Sequence, residues 1–118
     1  MPSMPPRDGW KVRIDDVLEA IDRIAPYTRD TSLELFEANS MAVDAVALNV
    51  LIIGEAAGHV PAEIRDRYPE VPWADMRAMR TVVAHQYRDV SVAVLWQTLT
   101  QNLPSLRPLL REILEKEP

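Results

Sequence analysis

The chain contains no cysteine, so a disulfide framework, a thiolate zinc site and a cysteine nucleophile are all excluded. Its 3 glycines are too few for a loop-rich or glycine-hinged architecture. Histidine occurs only 2 times. Glu55 and His59, at i and i+4, would share one helix face, but no second pair of ligands is spaced to complete a metal shell. No metal ion or other cofactor is therefore expected. The opening MPSMPPRDGW lacks the apolar stretch of a signal peptide, and no run approaches the roughly 18–20 apolar residues that a membrane span needs. These absences together predict a soluble, cytoplasmic protein without a membrane partner.

What is present suits one globular domain: 118 residues, 47% of them hydrophobic and 26% charged. The 10 prolines gather at the N-terminus and at helix boundaries. A net charge of -5 opposes tight, charge-driven binding of nucleic acid, and DNA is not expected as a partner. The basic residues are nonetheless biased, since all but Lys11 and Lys116 are arginine. Arg65, Arg67, Arg77, Arg80 and Arg88 fall in one segment that holds few acids. Arginine suits phosphate because its planar fork donates two parallel hydrogen bonds. The same residues would also serve as ordinary surface ion pairs.

The spacing predicts helices throughout. From Trp10 to Ala25, Ile14, Val17, Leu18, Ile21, Ile24 and Ala25 recur with a 3.6-residue period, and Pro26 should end or kink that helix. Thr31 and Glu34 form a capping-box pattern that opens a short helix over 31–38. Residues 40–57 are apolar almost all the way round, as expected of a helix central to a core or shared with a second chain. Gly58 should stop it, and Pro61 should open a short helix ending near Tyr68. A further helix should run from Trp73 to about His85. The last, from Ser91 to Lys116, carries Val92, Leu95, Trp96, Leu99, Leu103, Leu106, Leu110 and Ile113, with a break or bend at Pro104. No alternating strand pattern and no internal repeat occurs. The expected architecture is all-α, a small up-and-down helical bundle: a flexible tail over 1–9 and a single domain over 10–118.

The most informative segment is 77–88, where Arg80, His85 and Tyr87 form an R-x4-H-x-Y pattern. On a regular helix Arg80 and His85 stand about 7.5 Å apart along the axis and about 140° apart around it. A long arginine side chain reaches the histidine when the histidine sits at a fraying helix end. An imidazole that exchanges a proton near neutral pH then lies beside a guanidinium that holds a phosphate. Those are the parts required to cleave RNA without metal, the histidine taking the 2′-hydroxyl proton and the arginine stabilising charge on the phosphate oxygens. Arg77, Thr81 and Arg88 flank the pair as supporting residues. Taken alone, the spacing is weak and is better read as an ordinary ion-paired arginine and a helix-terminal histidine.

Several strings acquire meaning together: Ile-Ile-Gly-Glu-Ala-Ala (52–57), Arg-Tyr-Pro (67–69), Pro-Trp (72–73), Met-Arg (79–80) and His85-x-Tyr87. The tail with Val-Leu-Trp (94–96) and Leu-Pro-x-Leu (103–106), the stretch 15–24 and Asp-Ala-Val (44–46) complete the set. Over residues 13–114 the chain resembles the HepT-like family of the HEPN superfamily, the toxin half of a type VII-like toxin–antitoxin module. The resemblance implies a helical, homodimeric, metal-independent endoribonuclease whose R-x4-H motifs, with Arg80 and His85 catalytic, face one cleft. It also implies an antitoxin partner, a minimal nucleotidyltransferase of the MNT type that silences the toxin by transferring AMP to the motif tyrosine, here Tyr87. The chain departs from the family after the motif arginine, where asparagine is common and Thr81 stands here; threonine keeps a hydroxyl and lacks the amide.

Two residues carry a second reading. Asp44 and Glu55 lie about 20° apart around one helix, on a stripe with Leu48 and Leu51. A carboxylate on so apolar a helix needs a partner, so Glu55 either fixes Arg80 or another cleft arginine, or makes a purely structural salt bridge inside the bundle. Tyr87 either accepts AMP or simply packs its ring past a helix end. For the whole chain, the alternative to an enzyme is a catalytically inactive helical dimer that serves as the docking subunit of the nucleotidyltransferase.

Overall fold

A computed structural model describes residues 6–86 and 92–118, with side chains from Gly9 onward except those of Val82 and residues 84–86. Seven α-helices follow one another: α1 (Pro6–Thr28), α2 (Leu33–Ala38), α3 (Ser40–Gly58), α4 (Ala62–Arg67), α5 (Trp73–Gln86), α6 (Val92–Gln97) and α7 (Leu103–Lys116). A π-helical turn over Thr98–Asn102 joins the last two. Among the described residues no strand occurs.

Amphipathicity places α1. Ile14, Val17, Leu18, Ile21 and Ile24 are buried, while Asp15, Glu19, Asp22 and Arg23 face water. The helix begins at Pro6, four residues before the periodicity becomes visible, because proline is well suited to a first turn whose N–H groups have no partner in any case. At the other end it continues past Pro26 to Thr28, so of the two expected effects of Pro26, an end or a kink, the end does not occur. The ring removes one N–H so close to the terminus that little is lost, and Thr28 Oγ1 donates to the Ala25 carbonyl. The chain turns instead at Asp30, whose φ of 56° is left-handed.

The cap of α2 also differs from expectation. Ser32, not Thr31, is the N-cap: its backbone is extended and its Oγ accepts from the Leu35 N–H at 3.2 Å. The short helix buries Phe36 against Trp96, with ring centroids 5.3 Å apart.

The centre of the molecule is α3, packed on one side by α1 and on the other by α5. Asn39 opens it by accepting from the Ala42 N–H at 3.1 Å. Val46, Val50 and Ile53 are fully buried. By length and composition alone α3 is long and apolar enough to cross a membrane, which corrects the expectation that no stretch comes near that limit. In this fold its apolar surface is largely spent inside the bundle, since both neighbouring helices cover it. Two large side chains on its outer side are not covered: Met41 is 82% exposed and Leu48 58%.

The C-terminal third reads much as its spacing indicates, with Leu95, Leu99, Leu103, Leu106, Leu110 and Ile113 buried. The interruption expected at Pro104 takes the form of the π turn just before it. Pro104 has no N–H to offer the Thr100 carbonyl, and its ring would press on that carbonyl. The chain widens there, and the Leu103 N–H bonds five residues back to Thr98 O. The hydroxyls of Thr98 and Thr100 donate to the carbonyls of Val94 and Trp96. This turn lets α7 lie along α1, where Arg107 forms a two-pronged bond with Asp22, Nε to Oδ1 at 2.9 Å and Nη2 to Oδ2 at 3.1 Å.

The end of the chain is fastened separately. Glu117 accepts from Arg67 Nη1 and from the Tyr68 hydroxyl, each at 2.6 Å, and its side chain is only 11% exposed. Trp73 Nε1 donates to the Tyr68 carbonyl at 3.0 Å, so the same cluster holds the start of α5.

Candidate active site

The motif residues lie on α5, whose phase follows from Met76, Met79 and Val83 being buried against α3. Burying those three side chains turns Arg77, Arg80 and Thr81 outward. Arg80 is not left loose. Its Nε lies 2.9 Å from Glu55 Oε1 on α3, and the two side chains are 57% and 46% exposed. A pair so exposed contributes at most about 1 kcal/mol to stability. Its consequence is geometric: one edge of the guanidinium is held, and among the described residues no other ion pair or hydrogen bond engages the remaining donors. Such a group can still present a two-donor fork to a phosphate.

The backbone is helical through Gln86, so Arg80 and His85 stand on one helix five positions apart, His85 within its last turn. The side chain of His85 lies outside the described residues, as do Tyr87 and Arg88 altogether. Arg77 sits one turn before Arg80, and Thr81 immediately after it, both exposed. Arg67 belongs elsewhere, since it pairs with Glu117. His59 caps the end of α3, its backbone N–H bonding Ala56 O and Ala57 O. Among the described residues no three His, Asp or Glu side chains gather into a metal-binding group.

Sequence reasoning missed the surroundings of Glu55. A groove of about 410 Å³ runs between α1 and α3, with Arg13, Asp16 and Arg23 on one wall and Leu51, Ile52 and Glu55 on the other. The charges on α1 looked like an ordinary wet face in the sequence, and only the packing of α1 on α3 makes them line a hollow. Gly54 was missed as well, although a glycine inside an otherwise apolar helix was visible as an anomaly.

The fold and site together define a small all-helical bundle that bears a half-exposed arginine anchored by a carboxylate on the neighbouring helix. The family described as ribonuclease HepT-like matches residues 17–113. The probable ribonuclease HepT of Thermococcus cleftensis is 37% identical over 94 residues, which cover 80% of this chain and 86% of that one. A candidate RNase of Methanocaldococcus jannaschii is 32% identical over 112 residues, covering 95% and 92%. A longer protein of the same organism, named as a gamma-glutamylcyclotransferase and candidate RNase, is 30% identical over 110 residues, covering 93% of this chain and 50% of its own length. No solved structure matches the chain. The chain belongs to the ribonuclease HepT-like family.

Proposed function

We propose that this protein is a metal-independent endoribonuclease and the toxin of a two-component module, acting as a homodimer. The observation that supports it most directly is the half-exposed Arg80, held by Glu55 at one edge only, in a chain of the ribonuclease HepT-like family. His85 takes the proton from a ribose 2′-hydroxyl, and the 2′-oxygen attacks the adjacent phosphorus. Arg80 stabilises the charge that gathers on the non-bridging oxygens. The bond to the 5′-oxygen breaks, that oxygen takes up a proton, and the products are a 2′,3′-cyclic phosphate and a free 5′-hydroxyl. One imidazole cannot give and take a proton in the same step, so a two-fold axis that brings a second motif to the cleft supplies the acid. The uncovered Met41 and Leu48 on α3 offer apolar surface for such a partner.

The regulatory half of the proposal is that a cognate MNT-type nucleotidyltransferase transfers AMP to the Tyr87 hydroxyl. The added phosphate would compete for Arg80 and the base would fill the substrate's place. With a net charge of -5, attraction for RNA must come from the local arginines, and binding of free RNA should be weak and salt-dependent.

The test is induced expression in a bacterium alongside cleavage of RNA by the purified protein in EDTA. Growth arrest and cleavage should both vanish in Arg80→Ala and His85→Ala, and cleavage should survive the chelator. Activity that needs a divalent ion, or persists in both variants, sinks the mechanism. A stable dimer that binds the nucleotidyltransferase yet never cleaves RNA would establish the docking-subunit reading instead.

A further inference from the structure

Gly54 lies in the middle of α3, fully inside the bundle, where glycine is the least favourable choice after proline. Its backbone does not demand it, because no glycine here has positive φ. Room does. A Cβ built at position 54 would lie 2.6 Å from Arg80 Cγ, 3.0 Å from Arg80 N and 3.3 Å from Met76 O. The nearest of these is the root of the Arg80 side chain, and the other two are the α5 backbone through which that residue is held. By contrast, a Cβ at Gly58, the last residue of the same helix, would meet nothing within 4 Å.

We infer that Gly54 is a positioning residue for Arg80: the missing Cβ is the seat in which the first half of the arginine side chain rests. The neighbouring Glu55 then meets Nε at 2.9 Å, so two consecutive residues of α3 set the arginine, one by its absence of bulk and one by its charge. A methyl group at position 54 leaves two escapes. Either Cγ leaves its rotamer and swings the guanidinium off Glu55, or α5 moves away from α3 and carries the whole motif with it. Both displace the group that must face the phosphate. The catalytic consequence rests on the reading of Arg80 given above, whereas the seat itself does not.

The experiment is a cycle of Gly54→Ala, Arg80→Ala and the double variant, with Gly58→Ala as control, read by thermal midpoint and by cleavage of a short RNA at 25 °C, where the folded variants are compared. Gly54→Ala should lower kcat by about 10-fold to 100-fold, the range expected when a catalytic group shifts by about 1 Å, with little change in KM. Gly58→Ala should leave kcat unchanged. Gly54→Ala should lower the midpoint in the parent, and by less than half as much in Arg80→Ala, which has no Cγ to collide. If Gly54→Ala alone fails to fold, recovery of folding in the double variant supports the seat in the same way, and failure to recover overturns it. Equal thermal losses in both backgrounds would also overturn the seat and leave only helix packing. Parent-like kcat in a folded Gly54→Ala would overturn its positioning role. A parent that cleaves no RNA would instead remove the catalytic reading of Arg80, while the thermal cycle still decides the seat.

Discussion

The face shared by α1, α7 and the chain end uses its charges differently from the α3–α5 face. Arg107 closes both ends of its fork on Asp22. Glu117, mostly covered, takes one bond from Arg67 and one from Tyr68. Arg80 meets Glu55 through a single nitrogen, with both partners about half exposed. A carboxylate met by two donors, as Asp22 and Glu117 are, fastens the parts of the chain that carry them. Glu55 is met by one nitrogen, which orients the Arg80 side chain without closing its fork among the described residues. The difference lies in arrangement and not in residue type, because each of these ion pairs joins an arginine to a carboxylate.

That contrast is broken most forcefully by a reciprocal test. Arg80→Ala should lower RNA cleavage by about 10²–10³-fold, the typical loss of one charge-stabilising donor, while the thermal midpoint stays within about 4 °C of the parent because the pair is exposed. Leu110→Ala, in the wholly buried row of α7, should cost about 2–5 kcal/mol of stability in denaturant titration and leave kcat of the folded fraction unchanged. If Arg80→Ala unfolds the protein, the α3–α5 pair is structural after all.

A smaller effect sharpens the role of Glu55. Glu55→Gln keeps the shape and removes the charge, so Arg80 should wander but remain present. The expected result is a kcat loss of roughly 10-fold, well short of that in Arg80→Ala. Equal losses in the two variants would mean that Glu55 takes part in the reaction itself.

The smallest effect concerns pH. The Tyr68 hydroxyl, and after it Arg67, hold the Glu117 carboxyl below its ordinary 4.5. Arg107 likewise holds Asp22 below 3.8, its hydrogen bond outweighing the opposing effect of burial. A lowered folded-state value means that the unfolded chain binds more protons in that window, so this stability is complete above the unfolded value and disappears as pH falls through the folded one. Tyr68 runs the other way. Its hydroxyl is raised above 10.0, chiefly by the bond to Glu117, so its contribution is present below pH 10 and disappears as pH rises further. The midpoint of Glu117→Gln, relative to the parent, should therefore be lower at pH 7 and converge toward it at both extremes. A difference independent of pH would show that the clasp stabilises by packing alone.

How much of this was legible beforehand follows from how local each cause is. The buried stripe of α1 and the leucine row of α7 stand at positions that the 3.6-residue period marks, because each helix needs only one apolar face and the spacing writes that face into the chain. The all-helical class follows from the same signal together with the lack of any alternating pattern. Local chemistry was less decisive where two neighbours competed: Thr31 and Ser32 are both good N-caps, and Ser32 takes the role. Pro26 looked like an end or a kink and the helix runs two residues past it, whereas Pro104 was met by a π turn just before it. The candidate site could be proposed residue by residue and not as an assembly. Arg80, His85, Tyr87 and Glu55 could be named from spacing and resemblance, and the stripe on α3 even suggested that Glu55 needed an arginine. Which arginine it meets, that Arg67 is instead tied to Glu117, and that Gly54 makes room for Arg80 Cγ are contacts between residues far apart in the chain. No local period encodes such contacts, because they arise only when the buried faces of α3 and α5 have already set the distance between the two helices.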